Sequence, residues 1–289
     1  MRKSLIPRLS LSIFKQEQVL FWLNGQSILV IAEKKRKQHD LVVDTGFIEG
    51  KVADFDKALA TIAKVSKKNL IVLKNPFRIN KAIVFIPTNS SPVEKTVMAR
   101  LFRRAGFSNV ELRNYSTSFQ AFLIKQDYEK GVFVYIGQEI SEIGVFSAEA
   151  QQSFVIYYSL NEARTEVVNF FREKHLFEIS HEVALNIYQE LGKQGKKFSL
   201  VVRGRSSRNK EILTTSFSFK DVEPLFSFLQ KKVFKELDSV IQNNSFRLIQ
   251  PEKWVILGDD FFQLCLKSYQ EKPLRLKSEF DLMQGIEWL

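Results

Sequence analysis

The sequence is poor in the residues that build metal and redox centres. One cysteine, Cys265, and three histidines, His39, His175 and His181, occur in 289 residues. A lone cysteine excludes an internal disulfide and a thiolate metal cluster. Its neighbours, Phe261-Phe262-Gln263-Leu264 and Leu266, point to a small buried hydrophobe. The histidines are too scattered for a metal-ligand spacing, so neither a metal nor a catalytic histidine is expected. Glycine is also scarce, 12 residues against 26 phenylalanines. That balance favours packed side chains over flexible loops around a cofactor. No apolar run approaches the roughly 20 residues of a membrane span. Met1–Phe14 lacks the unbroken apolar stretch and the small-residue cleavage site of a secretory signal, so a cytoplasmic location is expected.

What the chain has in excess is positive charge, a net +11. This favours anionic partners: lipid headgroups, nucleic acid or an acidic protein. No helix-turn-helix, zinc-finger or RNP-like pattern supports nucleic acid. The cations Arg203, Arg205, Arg208 and Lys210 gather in one loop region. Arg2, Lys3 and Arg8 mix with Leu5, Ile6, Leu9 and Leu11. The stretch suits contact with an anionic membrane surface, although Pro7 breaks a helix and an edge strand fits equally well.

Hydrophobic periodicity divides the chain into two halves. The first reads as strands at Leu9–Phe14, Val19–Leu23, Ser27–Ala32 and Asp40–Val43, with Asn24-Gly25 as a hairpin turn. A helix over Asp54–Lys68 and a buried strand at Ala82–Ile86 follow. Ser91-Pro92-Val93-Glu94 combines proline at the first helical position with capping-box spacing. That helix carries Val93, Val97, Leu101 and Ala105 in steps of four and stops at Gly106. A strand at Asn109–Leu112 and a helix at Ser116–Lys125 complete this half. The second half begins over with a hairpin, Val132–Ile136 and Ile143–Phe146, around Gly137-Gln138-Glu139. It continues with a strand at Ser153–Tyr158 and helices at Leu160–Lys174 and Ser180–Leu191. Strands at Ser199–Arg203 and Glu211–Ser218, a long helix at Lys220–Gln242 and a buried strand at Trp254–Leu257 follow. The fold class is therefore α/β: two related domains flanking a central cleft, the default place for a ligand.

Several strings, in order, resemble the bacterial actin MreB, of the actin/Hsp70/sugar-kinase superfamily. Gly50-Lys51-Val52-Ala53-Asp54-Phe55-Asp56 is close to that family's glycine–apolar–alanine–Asp-Phe-Asp segment. Ala82–Pro87 and the capped helix ending Arg104-Ala105-Gly106 are similar to its next strand and helix. Leu200-Val201-Val202-Arg203-Gly204-Arg205 resembles a strand of its second domain. The resemblance implies an actin-like fold with domain I over 1–130, domain II over 131–270 and a C-terminal segment, 271–289, returning to domain I. Domain I then keeps only a reduced insertion, about 26–49, and domain II an inserted subdomain, about 176–220. It further implies Mg-ATP in the cleft and filaments at the membrane that guide wall synthesis.

The residues that would hold Mg-ATP are altered. In the family each domain opens on a hairpin offering an aspartate for the Mg²⁺ water shell, and glycines that bring N–H groups to phosphate. On the second hairpin Tyr135 stands at the aspartate position; Gly137 is kept, and Gln138 and Glu139 replace the other glycines. An anionic Glu139 beside a triphosphate is repelled by about 1–4 kcal/mol at contact. With Val19–Leu23 placed on the second strand of the first hairpin, Ile13 takes the aspartate position and Lys15 a glycine position. The triple-glycine adenosine loop is reduced to Gly258-Asp259-Asp260, whose carboxylates suit a helix cap. Leu112-Arg113-Asn114-Tyr115 lacks the glutamate that orients water, and Tyr188 stands for a ribose-contacting lysine.

The expectation is an MreB-type actin-like scaffold of cell shape or wall morphogenesis that has lost ATP hydrolysis, with no catalytic residue and no bound cofactor. Its expected partners are itself or other actin-like filament proteins, inner-membrane shape-machinery proteins and anionic lipid. Two alternatives stand: an active ATP-dependent filament, and an actin-like adaptor for division or pilus machinery.

Overall fold

The computed structural model describes residues 17–24, 27–32, 39–41, 45–69, 80–146, 151–241, 253–257, 261, 264–265 and 274–276. Two five-stranded sheets share one topology. In the first half, β1 (Glu17–Asn24) pairs antiparallel with β2 (Ser27–Ala32), and β2 with β3 (His39–Leu41). On its other side β1 runs parallel to β6 (Asn80–Ile86), which is parallel to β7 (Asn109–Asn114). The second half repeats this: β8 (Gly131–Ile136), β9 (Ser141–Phe146) and β10 (Gln151–Ile156) form the antiparallel part. Strands β14 (Lys253–Leu257) and β15 (Leu274–Leu276) add parallel to β8. Two small sheets complete the set, β4 (Phe47–Ile48) with β5 (Lys51–Val52), and β11 (Phe177–Glu178), β12 (Ser199–Ser206) and β13 (Ile212–Ser218).

Strand alternation assigns each side chain to one of three cores. From β1, Val19, Phe21 and Leu23 face helices α1 (Phe55–Asn69) and α2 (Pro92–Arg104). Leu20 and Trp22 face the other way. They meet α3 (Tyr115–Lys125) and, from the second sheet, Phe133, Tyr135, Phe146, Val255 and Leu257. This central core is shared by both halves. The opposite face of β8, Val132, Val134 and Ile136, packs on α4 (Leu160–Lys174), α5 (His181–Gln194) and α6 (Phe219–Ile241).

The Ser91 capping box forms as its spacing indicates. The Glu94 N–H donates to Ser91 Oγ at 3.2 Å, and the Ser91 N–H to Glu94 Oε2 at 2.7 Å. Lys51 Nζ, 3.0 Å from Glu94, adds a tie from β5. The Glu94 carboxyl is held below its usual range, first by the Ser91 N–H and then by Lys51. The buried face of α2 differs from the expected stripe: it is Met98, Leu101, Phe102 and Ala105, while Val93 is exposed. A four-residue step overshoots the 3.6-residue turn, so that row drifts off the core face. Cys265 is buried, as its apolar neighbours suggested. Ser91→Ala should lower stability by about 1 kcal/mol in urea denaturation without changing the slope.

Candidate functional site

The shared topology locates the two cleft hairpins. Strands β1 and β8 are each central, each flanked by one antiparallel and one parallel neighbour. Trp22 pairs with Leu29 across the β1–β2 turn, and Tyr135 with Glu142 across the β8–β9 turn. The two intervals have equal length, and both Trp22 and Tyr135 face the central core. Trp22 is therefore the counterpart of Tyr135. This corrects the expectation that the first turn lies at Ile13–Gln18. Gln18 already belongs to β1, and the first-half hairpin turns between Asn24 and Ser27. Ile13 and Lys15 lie outside the described residues, as do Arg2, Lys3, Leu5, Ile6, Gly258, Asp259 and Asp260.

The two counterparts touch. Trp22 Nε1 donates to the Tyr135 hydroxyl at 3.2 Å, and the rings meet edge to face at 5.5 Å. Neither is exposed. Tyr115, the first residue of α3, stacks on Trp22 at 4.6 Å and meets Tyr135 at 5.1 Å. Its hydroxyl donates to the Leu23 carbonyl. Phe85 and Phe119 close the cluster around the indole. Each such ring pair is worth about 0.5–1.5 kcal/mol beyond its buried area. Where the resemblance implies two carboxylates, the chain has an indole bonded to a phenol.

Two carboxyl side chains of the second half bond to groups of the first. Glu142, from β9, is buried. Its Oε1 accepts the Thr88 N–H at 2.6 Å and its Oε2 the Thr88 hydroxyl at 2.7 Å. Thr88 follows β6, so this bond joins the halves. Burial, the largest influence, raises the Glu142 carboxyl to about 7, against the lowering effect of the two Thr88 bonds. Glu139, at the β8–β9 tip, accepts the Glu49 N–H from the β4–β5 turn. In that turn Glu49 and Gly50 both have positive φ, 52° and 69°, as a two-residue type I′ hairpin requires. A Cβ at Gly50 would lie 3.0 Å from the Pro87 ring and 3.1 Å from the Tyr115 hydroxyl, a crowding that, with the positive φ, favours glycine.

The β8–β9 tip is fixed from its own half too. The Leu160 N–H donates to the Gly137 carbonyl at 3.1 Å and the Asn161 N–H to the Gln138 carbonyl at 2.9 Å. These donors belong to the first turn of α4, whose free N–H groups thus point into the hairpin. A Cβ at Gly137 would sit 2.3 Å from the Ile140 carbonyl, which accounts for the one retained glycine. Deeper in this half, the Tyr158 and Tyr188 hydroxyls are 2.5 Å apart and both rings are buried. Phe261 lies 5.1 Å from Tyr188.

Tyr135, Gly137, Gln138 and Glu139 lie on the β8–β9 hairpin. Trp22, Tyr115, Thr88 and Glu49 complete the site. The signal for Trp22 was available in Trp22-Leu23-Asn24-Gly25, an apolar strand running into a turn.

No family model matches the sequence, and no curated protein matches it. Solved structures do. MreB5 of Spiroplasma citri bound to AMPPNP aligns over 94% of each chain, with TM-score 0.74 at 11% identity. The ADP-bound form of the same protein gives 0.75 at 10%. A MamK double helical filament aligns over 94% of this chain and 98% of that one, with TM-score 0.71 at 12% identity. Likeness at this identity establishes the fold alone: the chain has an actin-like fold, as MreB5 and MamK have. No helix among the described residues is long and apolar enough to cross a membrane.

Glu142 gives the site a pH signature. Between the ordinary carboxyl value, 4.5, and about 7 the folded chain holds a proton that the unfolded chain releases. Stability therefore falls as pH rises through that window, by about 3 kcal/mol in all, and levels off above it. Glu142→Gln should flatten the fall; urea denaturation of both proteins at pH values across this window checks it.

Proposed function

We propose that the chain is an actin-like scaffold protein of the MreB type, acting in cell shape or wall morphogenesis, that no longer hydrolyses ATP. The observation that carries this reading is the Trp22–Tyr135 pair. A magnesium-bound triphosphate needs carboxylates for the metal's water shell and open backbone N–H groups for the phosphates. At the two counterpart positions the chain offers a buried indole and phenol that satisfy each other. The N–H of Glu49 and the N–H of Thr88 are taken by Glu139 and Glu142. An arriving phosphate would displace a carboxylate rather than fill a vacancy, and would stand beside its negative charge. These residues do not fit Mg-ATP.

The scaffold reading also draws on the fold. One structural neighbour is a double helical filament. Two halves joined by side chains hold one arrangement without a nucleotide, which suits a subunit added to an assembly of its own kind or of other actin-like chains. The excess of cations suits inner-membrane shape-machinery proteins or an anionic lipid surface.

Titration with millimolar Mg-ATP in a calorimeter, with phosphate release measured in parallel, tests the proposal. The expected outcome is no saturable heat and no turnover. Saturable binding with phosphate release would establish the alternative, an active ATP-dependent filament protein.

A further inference from the structure

We propose that the free edge of β13 accepts an extended, acidic segment of a partner protein as a fourth strand. The strand lies at the border of the sheet β11-β12-β13. Its seven residues, Ile212 to Ser218, contain no charge and no proline, and only Phe217 is buried. Native edge strands are usually protected by lysine, proline, a bulge or a covering element. Among the described residues this one instead leaves backbone donors and acceptors over Ile212–Phe217, beside β-branched residues that favour the extended form; at its end the Ser218 N–H is already taken by Asp221.

The two faces of the sheet specify what would pair there. Register puts Val201, Arg203 and Arg205 of β12 on one face, beside Ser216, Thr214 and Ile212 of β13. Arg203 and Arg205 form no ion pair among the described residues. Glu178 lies across from Arg205, but its carboxylate is taken by Lys210. Strands are about 5 Å apart, and Thr214 and Ser216 are small. A guanidinium can therefore lie over them and meet a carboxylate on the next strand. On the opposite face Leu213 lines up with Phe217 and Val202, which are buried. Leu213 itself is 41% exposed, because the apolar layer stops at the edge. An added strand that alternates apolar and acidic residues would cover Leu213 with one set and reach the arginines with the other. A second copy of this chain suits the place less well, since its own edge strand carries no carboxylate to meet the arginines. Lipid headgroups or nucleic acid would use the arginines but neither the backbone edge nor Leu213.

The test uses the full chain and a labelled synthetic peptide of alternating valine and glutamate, with a valine–lysine peptide as control. Fluorescence anisotropy gives affinity, and hydrogen exchange gives the footprint. The proposal expects saturable binding of the glutamate peptide only, and slowed exchange confined to 212–218. It also expects an affinity loss of about tenfold or more when Arg203→Glu and Arg205→Glu are combined. The footprint is read on the unaltered chain, so the proposal stays testable where the double variant fails to fold. No binding of the glutamate peptide would overturn it. So would unchanged affinity in a folded double variant, or protection of this strand by anionic vesicles, duplex DNA or a second copy of the chain while the peptide gives none.

Discussion

One hydrogen bond between two aromatic side chains organises the centre of this molecule. Trp22 and Tyr135 stand at matching places on the central strands of two matching sheets, and the indole N–H donates to the phenol. Both are buried in an aromatic cluster that α3 completes with Tyr115 and Phe119. A buried N–H or O–H without a partner costs about 1–3 kcal/mol, so either residue would be a liability alone. Together they satisfy each other and turn the floor between the halves into core. The hairpin tip and β9 add further bonds between the halves, from Glu139 to the β4–β5 turn and from Glu142 to the Thr88 turn.

The carboxylates at this place make sense only in that setting. Glu139 and Glu142 both come from the second half, and both accept N–H groups from the first. A phosphate in a cleft of this fold would accept from the same kind of donors. Here the acceptors are carboxyl side chains of the chain itself, and they bridge the halves directly. Glu142 is costly to ionise where it sits, and the two Thr88 donors only partly offset the burial. The folded chain is therefore more stable below neutral pH than above it, although the Thr88 bonds themselves favour the ionised carboxylate.

Much of the fold was legible in the sequence, because its elements are announced locally. The capping box at Ser91, the hairpin after Gly131 and the helix cap at Ser180 each rest on a few adjacent residues. The two-residue strands β4, β5 and β11 were not legible, since two residues show no period. The site was legible on one side only. Tyr135, Gly137 and Glu139 sit in an obvious hairpin, but their partners are far away in sequence: Trp22 by 113 residues, Glu49 by 90 from Glu139, Thr88 by 54 from Glu142. The first hairpin was misplaced because composition does not say which of two apolar strands is central. The parallel pairing of β1 with β6 decides it, and strand parity then turns Trp22 rather than Leu23 toward the second half.

Backbone amide exchange at Glu49 and Thr88 tests most directly whether the chain closes its own cleft. Both amides donate across it to carboxylates of the opposite half. Measured on the nucleotide-free protein and again with Mg-ATP, both should be protected to the same degree in the two samples. Rapid exchange without nucleotide, slowed at both amides by Mg-ATP, would contradict the account.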